Sequence, residues 1–228
     1  MLRNLVTHMT QAVAPTSIER QIANLLINMG QTVETSVNQA IGSLLNWNQS
    51  VAADILARER LVNEMEVSID KAVSSALANG TLSRSELKTA ASVLKINKDL
   101  ERLGDLAANI SRCMIATTEK ERPADTSELQ PMAIATSHVC RQALRALVRQ
   151  DLVLANNVAG ASAAVEAFRG YAAGRIGQRP SRPGDVTLLL ASQYLEEMAD
   201  LAASLAENVA LCLTEKRSQN AMSSQMAS

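Results

Sequence analysis

Six side chains with oxygen donors recur at helical spacing in the first half of the chain. One series has steps of four, three and four residues, so its members share one face of a helix: Glu59, Asn63, Glu66 and Asp70. Glu101 and Asp105 are four residues apart and share a face of a later helix. If these two helices are antiparallel neighbours, the two faces can meet and their oxygens can converge.

Two interpretations of these acidic faces follow from the spacing. A cluster of oxygen donors suits hard or borderline cations such as Mg²⁺, Ca²⁺, Mn²⁺ or iron, whereas zinc and copper favour imidazole or thiolate. The other interpretation is a solvated polar surface on two long helices. Spacing alone leaves both open.

Histidine usage restricts the chemistry that a carboxylate cluster could perform. Ferritin-like di-iron enzymes carry Glu-x-x-His, but here Leu5 stands three residues before His8 and Ala135 three before His138. The sequence also has no nucleophile elbow, no glycine-rich phosphate loop and no CxxC pair. A metal-dependent enzyme of another type and a structural bundle without metal stay as alternatives to a binding protein.

The composition predicts an all-α protein. Among 228 residues, 47% are apolar and only 2% are aromatic, with few glycines and prolines to form turns between strands. Because 22 basic residues balance 23 acidic ones, a nucleic-acid partner is not expected. The chain has no apolar run of membrane-spanning length and no signal-peptide pattern, so a cytoplasmic protein is expected.

Helical periodicity predicts two sets of three helices, which would form two tandem three-helix bundles packed side by side or end to end. Ser83 and Glu86 have the spacing of a capping box that opens the third helix. The predicted helices cover about 17–47, 50–78, 84–117, 126–150, 152–175 and 186–216. The predicted organisation is an N-terminal extension, two repeats and a disordered tail, over 1–16, 17–118, 124–216 and 217–228.

An internal repeat supports the division into two sets. The pattern LExxxDLAA occurs at residues 100–108 and again at 195–203, each time in the third helix of its set. The shared position favours duplication over coincidence.

The first-half motifs resemble those of the PhoU family, the phosphate-signalling regulators of bacteria. The similar segments are LKINKDLERLGDLAANI at 94–110 and ERLVNEMEVSID at 59–70, and the likeness extends over about 18–213. The resemblance implies two similar three-helix bundles that bind multinuclear metal clusters through carboxylates, with iron, manganese or magnesium as candidate metals. Carried over by position, it implies metal ligands at Glu59, Asn63, Glu66, Asp70, Glu101 and Asp105, and in the second half at Glu166, Glu196 and Asp200.

The second half departs from the family pattern. Ser162 and Ala163 stand where the family usually has acids, Glu197 replaces a common arginine, and Leu201 replaces a usual histidine. A second cluster is therefore expected to hold fewer ions, to bind weakly or to be absent.

The resemblance also implies a function and partners. It implies a non-enzymatic negative regulator of phosphate uptake and of the phosphate-starvation response. Such a protein would couple the ATPase subunit of a phosphate transporter to a sensor histidine kinase, and would be at most peripheral to membrane complexes. A homodimer is compatible with this architecture.

Overall fold

Three long helices form the first set of the computed structural model, which describes residues 17–79, 83–158, 161–178 and 182–226. The predicted N-terminal extension over 1–16 lies outside these ranges. The capping box is confirmed: the Ser83 hydroxyl accepts from the Glu86 amide, and the Glu86 carboxylate accepts from the Ser83 amide. The helices are α1 (Ser17–Asn46), α2 (Ala52–Asn79) and α3 (Arg84–Ala116).

The second set differs from the prediction in its middle helix. The single helix predicted over 152–175 is wrong, because a turn at residues 161–162 separates two shorter helices. Gly160 in the sequence just before this turn is a poor helix former, which fits the interruption. The helices of this set are α4 (Gln130–Arg149), α5 (Leu152–Val158), α6 (Ala163–Gly177) and α7 (Pro183–Met226).

The last helix is longer at both ends than its pattern predicted. It begins at Pro183, since proline is tolerated in the first turn of a helix. It continues to Met226, so the disordered tail predicted over 217–228 is wrong for residues 217–226. That segment contains neither glycine nor proline to end the helix.

The two sets pack side by side along an antiparallel α3–α7 contact. Lys88 Nζ lies 2.6 Å from Glu215 Oε1 near one end, and the hydroxyls of Thr117 and Thr187 lie 2.7 Å apart near the other. Helix α4 also packs against both α7 and α1. One continuous buried cluster of aliphatic side chains runs through both sets, so they share a core.

The all-helical fold predicted from composition is confirmed. The described residues contain helices, short 3₁₀ turns and connecting segments but no strand. In the same ranges, no helix is both long enough and apolar enough to cross a membrane.

Close backbone contact at Gly184 should make this position intolerant of a side chain. A Cβ there would overlap the backbone oxygen of Glu121 and the backbone nitrogen of Pro123. We expect Gly184→Ala to lower the free energy of unfolding by about 1–3 kcal/mol in urea denaturation. The matched variant Gly174→Ala, where a Cβ meets open space, should raise it by about 0.5–1 kcal/mol. Equal effects of both variants would contradict this account of the α7 start.

Candidate metal site

Helices α2 and α3 approach each other closely at the centre of the acidic faces. A Cβ on Gly104 would lie 3.3 Å from Val62 Cγ1, so the missing side chain is what lets the helices come together. Val62 directly precedes Asn63, and Gly104 directly precedes Asp105. The contacts between α2 and α3 run in opposite directions along the two helices, as the convergence of the acidic faces requires.

The ammonium group of Lys98 contacts a carboxylate of α3 and feels the charge of two further acids. Lys98 Nζ lies 2.6 Å from Glu101 Oε2. This contact raises the pKa of Lys98 most, and the negative charges of Glu66 and Asp105 add to the increase. Acids from α2 and α3 therefore face the same region, and Glu66 and Glu101 do not lie on opposite sides of the bundle.

Asp105 lies in a crowded part of this surface. Burial raises the pKa of Asp105 most, and the negative charges of Glu101 and Glu59 raise it further, as does a hydrogen bond with Glu101. The Arg112 guanidinium opposes the increase, and it donates a hydrogen bond of 2.8 Å to Glu59 Oε2. The charged form of Asp105 is thus disfavoured first by burial and then by acids whose charge a bound cation would neutralise.

Asp70, the last member of the α2 series, accepts a hydrogen bond from a buried amide. Asn97 Nδ2 on α3 donates to Asp70 Oδ1 at 2.9 Å and to the Glu66 carbonyl oxygen at 3.0 Å. Asn97 is only 1% exposed, and its Oδ1 atom is buried without a hydrogen-bond partner. Asn63, in contrast, is exposed. We name the surface formed by Glu59, Asn63, Glu66, Asp70, Glu101 and Asp105 the acidic face.

The donor set of the acidic face fits a hard cation, although its side chains are not arranged around one. Throughout the described ranges, no three His, Cys, Asp or Glu side chains converge closely enough to hold a metal ion. Glu101 Oε2 is nonetheless buried and already accommodates a positive charge, that of Lys98. With all donors oxygen, the face suits Mg²⁺, Mn²⁺ or iron better than zinc.

The structure does not bring the second-half candidates together in the same way. Arg169 Nε lies 2.6 Å from Glu196 Oε1, so a basic side chain of α6 pairs with this acid. Glu166 and Asp200 are exposed. Glu197, which replaces a common arginine, pairs with Arg102 Nη2 at 2.9 Å across the two sets.

Sequence reasoning missed the basic and amide side chains that contact the candidate ligands. Lys98 and Glu101 are three residues apart, so their pairing could have been found from helix spacing. Arg112 and Asn97 reach acids on another helix, and only the register of α2 against α3 reveals those contacts.

Comparison with known proteins gives the same class of protein that the fold and the acidic face suggest. Residues 26–114 match the PhoU domain. The chain is 29% identical to the phosphate-specific transport system accessory protein PhoU homolog 1 of Thermotoga maritima over 191 residues, covering 81% of this chain and 82% of that protein. It is 32% identical to the PhoU homolog of Pseudomonas aeruginosa over 135 residues, which span 59% of this chain and 56% of the relative.

The crystal structure of PhoU from Pseudomonas aeruginosa has the same fold. It superposes with a TM-score of 0.81 at 25% sequence identity, covering 87% of this chain and 98% of that one. The protein is therefore an all-helical bundle of the PhoU type. The first half of the chain carries a PhoU domain, and the relatives named above are accessory proteins of phosphate-specific transport systems.

Removal of one charge from the acidic face should stabilise the metal-free protein. A raised pKa means that the folded state binds a proton more tightly than the unfolded state, so the Asp105 carboxylate destabilises the fold at neutral pH. We expect Asp105→Asn to raise the free energy of unfolding by about 0.5 kcal/mol with chelator present, after screening by solvent. The control Glu64→Gln, on an exposed part of α2, should stay close to wild type. A less stable Asp105→Asn protein would show that the crowding is not repulsive.

Proposed function

We propose that this protein is a metal-binding negative regulator of phosphate uptake and of the phosphate-starvation response. The observation that supports the metal is the acidic face itself, where burial and then the negative charges of Glu101 and Glu59 raise the pKa of Asp105. The PhoU domain over residues 26–114 and the similarity to accessory proteins of phosphate transport support the phosphate-related role.

Residues from both helices would hold the metal. Glu101 and Asp105 would supply carboxylates from α3, while Glu59, Glu66 and Asp70 would supply those from α2. Asn63 would contribute an amide oxygen. A bound iron, manganese or magnesium cluster would supply positive charge that neutralises these acids and ties α2 to α3.

The mechanism would be conformational, because binding alone can change which partner state is favoured. A ligand shifts an equilibrium between two states only through a difference in its affinity for them. A neutralised acidic face would hold α2 firmly against α3 and leave the remaining surfaces of the bundle in one arrangement. The proposed partners, in the cytoplasm, are the ATPase subunit of a phosphate transporter and a sensor histidine kinase.

The buried cysteine of α4 gives little support to an enzyme alternative. Burial raises the pKa of Cys140 to about 12, so this thiol stays protonated at neutral pH and is a poor nucleophile. A metal-dependent enzyme would need the acidic face itself, and turnover by metal-loaded protein that disappears in Glu101→Gln would support it. A bundle without bound metal would retain no iron, manganese or magnesium in elemental analysis after native purification.

Metal binding should depend on the first half of the chain more than on the second. We expect Glu101→Gln and Asp105→Asn to weaken Mn²⁺ binding at least tenfold in calorimetric titration, because each removes an anionic donor from a shared face. Asp200→Asn should bind almost as wild type does, since Asp200 is exposed and Glu196 is paired with Arg169.

Equal losses of Mn²⁺ from Asp105→Asn and Asp200→Asn would contradict the difference between the halves. Circular dichroism of each variant would show whether the helices stay intact. Each loss can then be assigned to the missing donor rather than to unfolding.

Deletion of the gene should release phosphate-regulated genes from repression in medium rich in phosphate. Expression of a transporter gene, measured by a reporter, should rise to the level seen in starved cells. Complementation by wild type should restore repression, whereas Asp105→Asn should restore it only in part. Unchanged expression in the deletion strain, with no capture of either partner by the tagged protein, would refute the regulatory role.

A further inference from the structure

A basic side chain of the protein itself lies where a cation would be expected on the acidic face. Lys98 Nζ is 2.6 Å from Glu101 Oε2, and the charges of Glu66 and Asp105 also act on it. These are three of the candidate metal ligands, and they come from both helices.

The position of Lys98 allows its ammonium group to leave the acidic face. The side chain is 58% exposed, and a lysine head group on a flexible stem can move into water while the helix stays in place. Glu101, whose side chain is 16% exposed, is fixed more firmly. Departure of the ammonium would leave the buried Glu101 Oε2 without a positive charge beside it.

Electrostatics make it unfavourable for Lys98 and a divalent cation to share this location. Two positive charges a few ångströms apart repel each other, and a metal that binds Glu101 needs the oxygen that Lys98 now contacts. Arg112 pairs with Glu59 at the other end of the face, so the metal-free protein balances its acids with its own bases at two points.

We propose that Lys98 is an internal counter-ion that occupies the cation position in the metal-free protein and is displaced when metal binds. This inference rests on the proposed metal site and adds a competitor to it. The measured metal affinity is then set by a difference between two binding free energies, that of the metal for the acidic face and that of the Lys98 ammonium group for the same face. Lys98 contributes modestly to the stability of the metal-free state, and in the metal-bound state its ammonium group is released to solvent.

Substitution of Lys98 should therefore change the stability of the metal-free protein and its affinity for Mn²⁺ in opposite directions. Lys98→Gln removes the internal cation, so the metal-free protein should become less stable while Mn²⁺ should bind more tightly. The loss of an exposed pair of this kind corresponds to an increase in Mn²⁺ affinity of up to about fivefold. A residue that merely helped the fold would lower stability without tightening metal binding.

The experiment compares Lys98→Gln with Lys95→Gln in the full-length protein. Lys95 is an exposed lysine of the same helix, and its charge acts on Asp99 rather than on the acidic face. Mn²⁺ affinity is measured by calorimetric titration, and the melting temperature is measured with chelator present. We expect tighter binding and a lower melting temperature for Lys98→Gln, with wild-type values for Lys95→Gln.

A second readout follows the amine directly. In wild-type protein, acylation of Lys98 by a water-soluble reagent, measured by peptide mass spectrometry, should become faster when Mg²⁺ is added. Lys95 in the same sample should react at an unchanged rate. Acylation of Lys98 that is unaffected by saturating Mg²⁺ would overturn the displacement.

The outcomes separate the inference from the function on which it rests. If wild type binds Mn²⁺ and Lys98→Gln binds it equally or more weakly, the counter-ion role is overturned and the metal site stands. If neither protein binds Mn²⁺, both proposals fall. Binding by Lys98→Gln alone would support the inference most directly, because the internal cation would then be the obstacle.

Discussion

The burial of α3 on several sides is the constraint on which the rest of the structure depends. This helix packs against α1 and α2 on one side and along α7 on the other, and Leu100, Leu103, Ala107 and Ile110 are fully buried. Such a helix leaves only a narrow exposed face on which polar side chains can lie. Glu101 and Asp105 are therefore confined to the strip that faces α2, and the acids of α2 meet them there.

Confinement of like charges has a cost that the chain offsets with its own bases. Lys98 and Arg112 pair with acids in the first half, and Arg169 pairs with an acid in the second. These pairs are partly exposed, so each stabilises the fold only modestly. Because these ion pairs are weak, a divalent cation can replace the basic side chains that pair with the acids of the first half.

Much of the fold could be predicted because it depends on local patterns. Apolar periodicity located α1, α2 and α3 to within about two residues, and side-chain hydrogen bonds at Ser83 opened α3 as its spacing required. The interruption between α5 and α6 and the early start of α7 at Pro183 were not predicted. Periodicity is weak near small residues, and proline ends or begins a helix according to its position in the turn.

The candidate site was predictable only in part. Spacing placed the acids of each helix on one face, and the meeting of the two faces followed from the antiparallel contact. The partners of those acids depend on register and side-chain conformation. Arg112 is 53 residues from Glu59 in sequence, and nothing in the local pattern joins them.

The contact between Arg102 and Glu197 has a further meaning, because both residues hold the third position of the repeated LExxxDLAA pattern. Equivalent residues that touch across an antiparallel pair lie near a pseudo-twofold axis, where an identical ancestral pair would set two like charges side by side. A duplicated protein can relieve that repulsion only by diverging, so asymmetry between its halves begins at the axis itself.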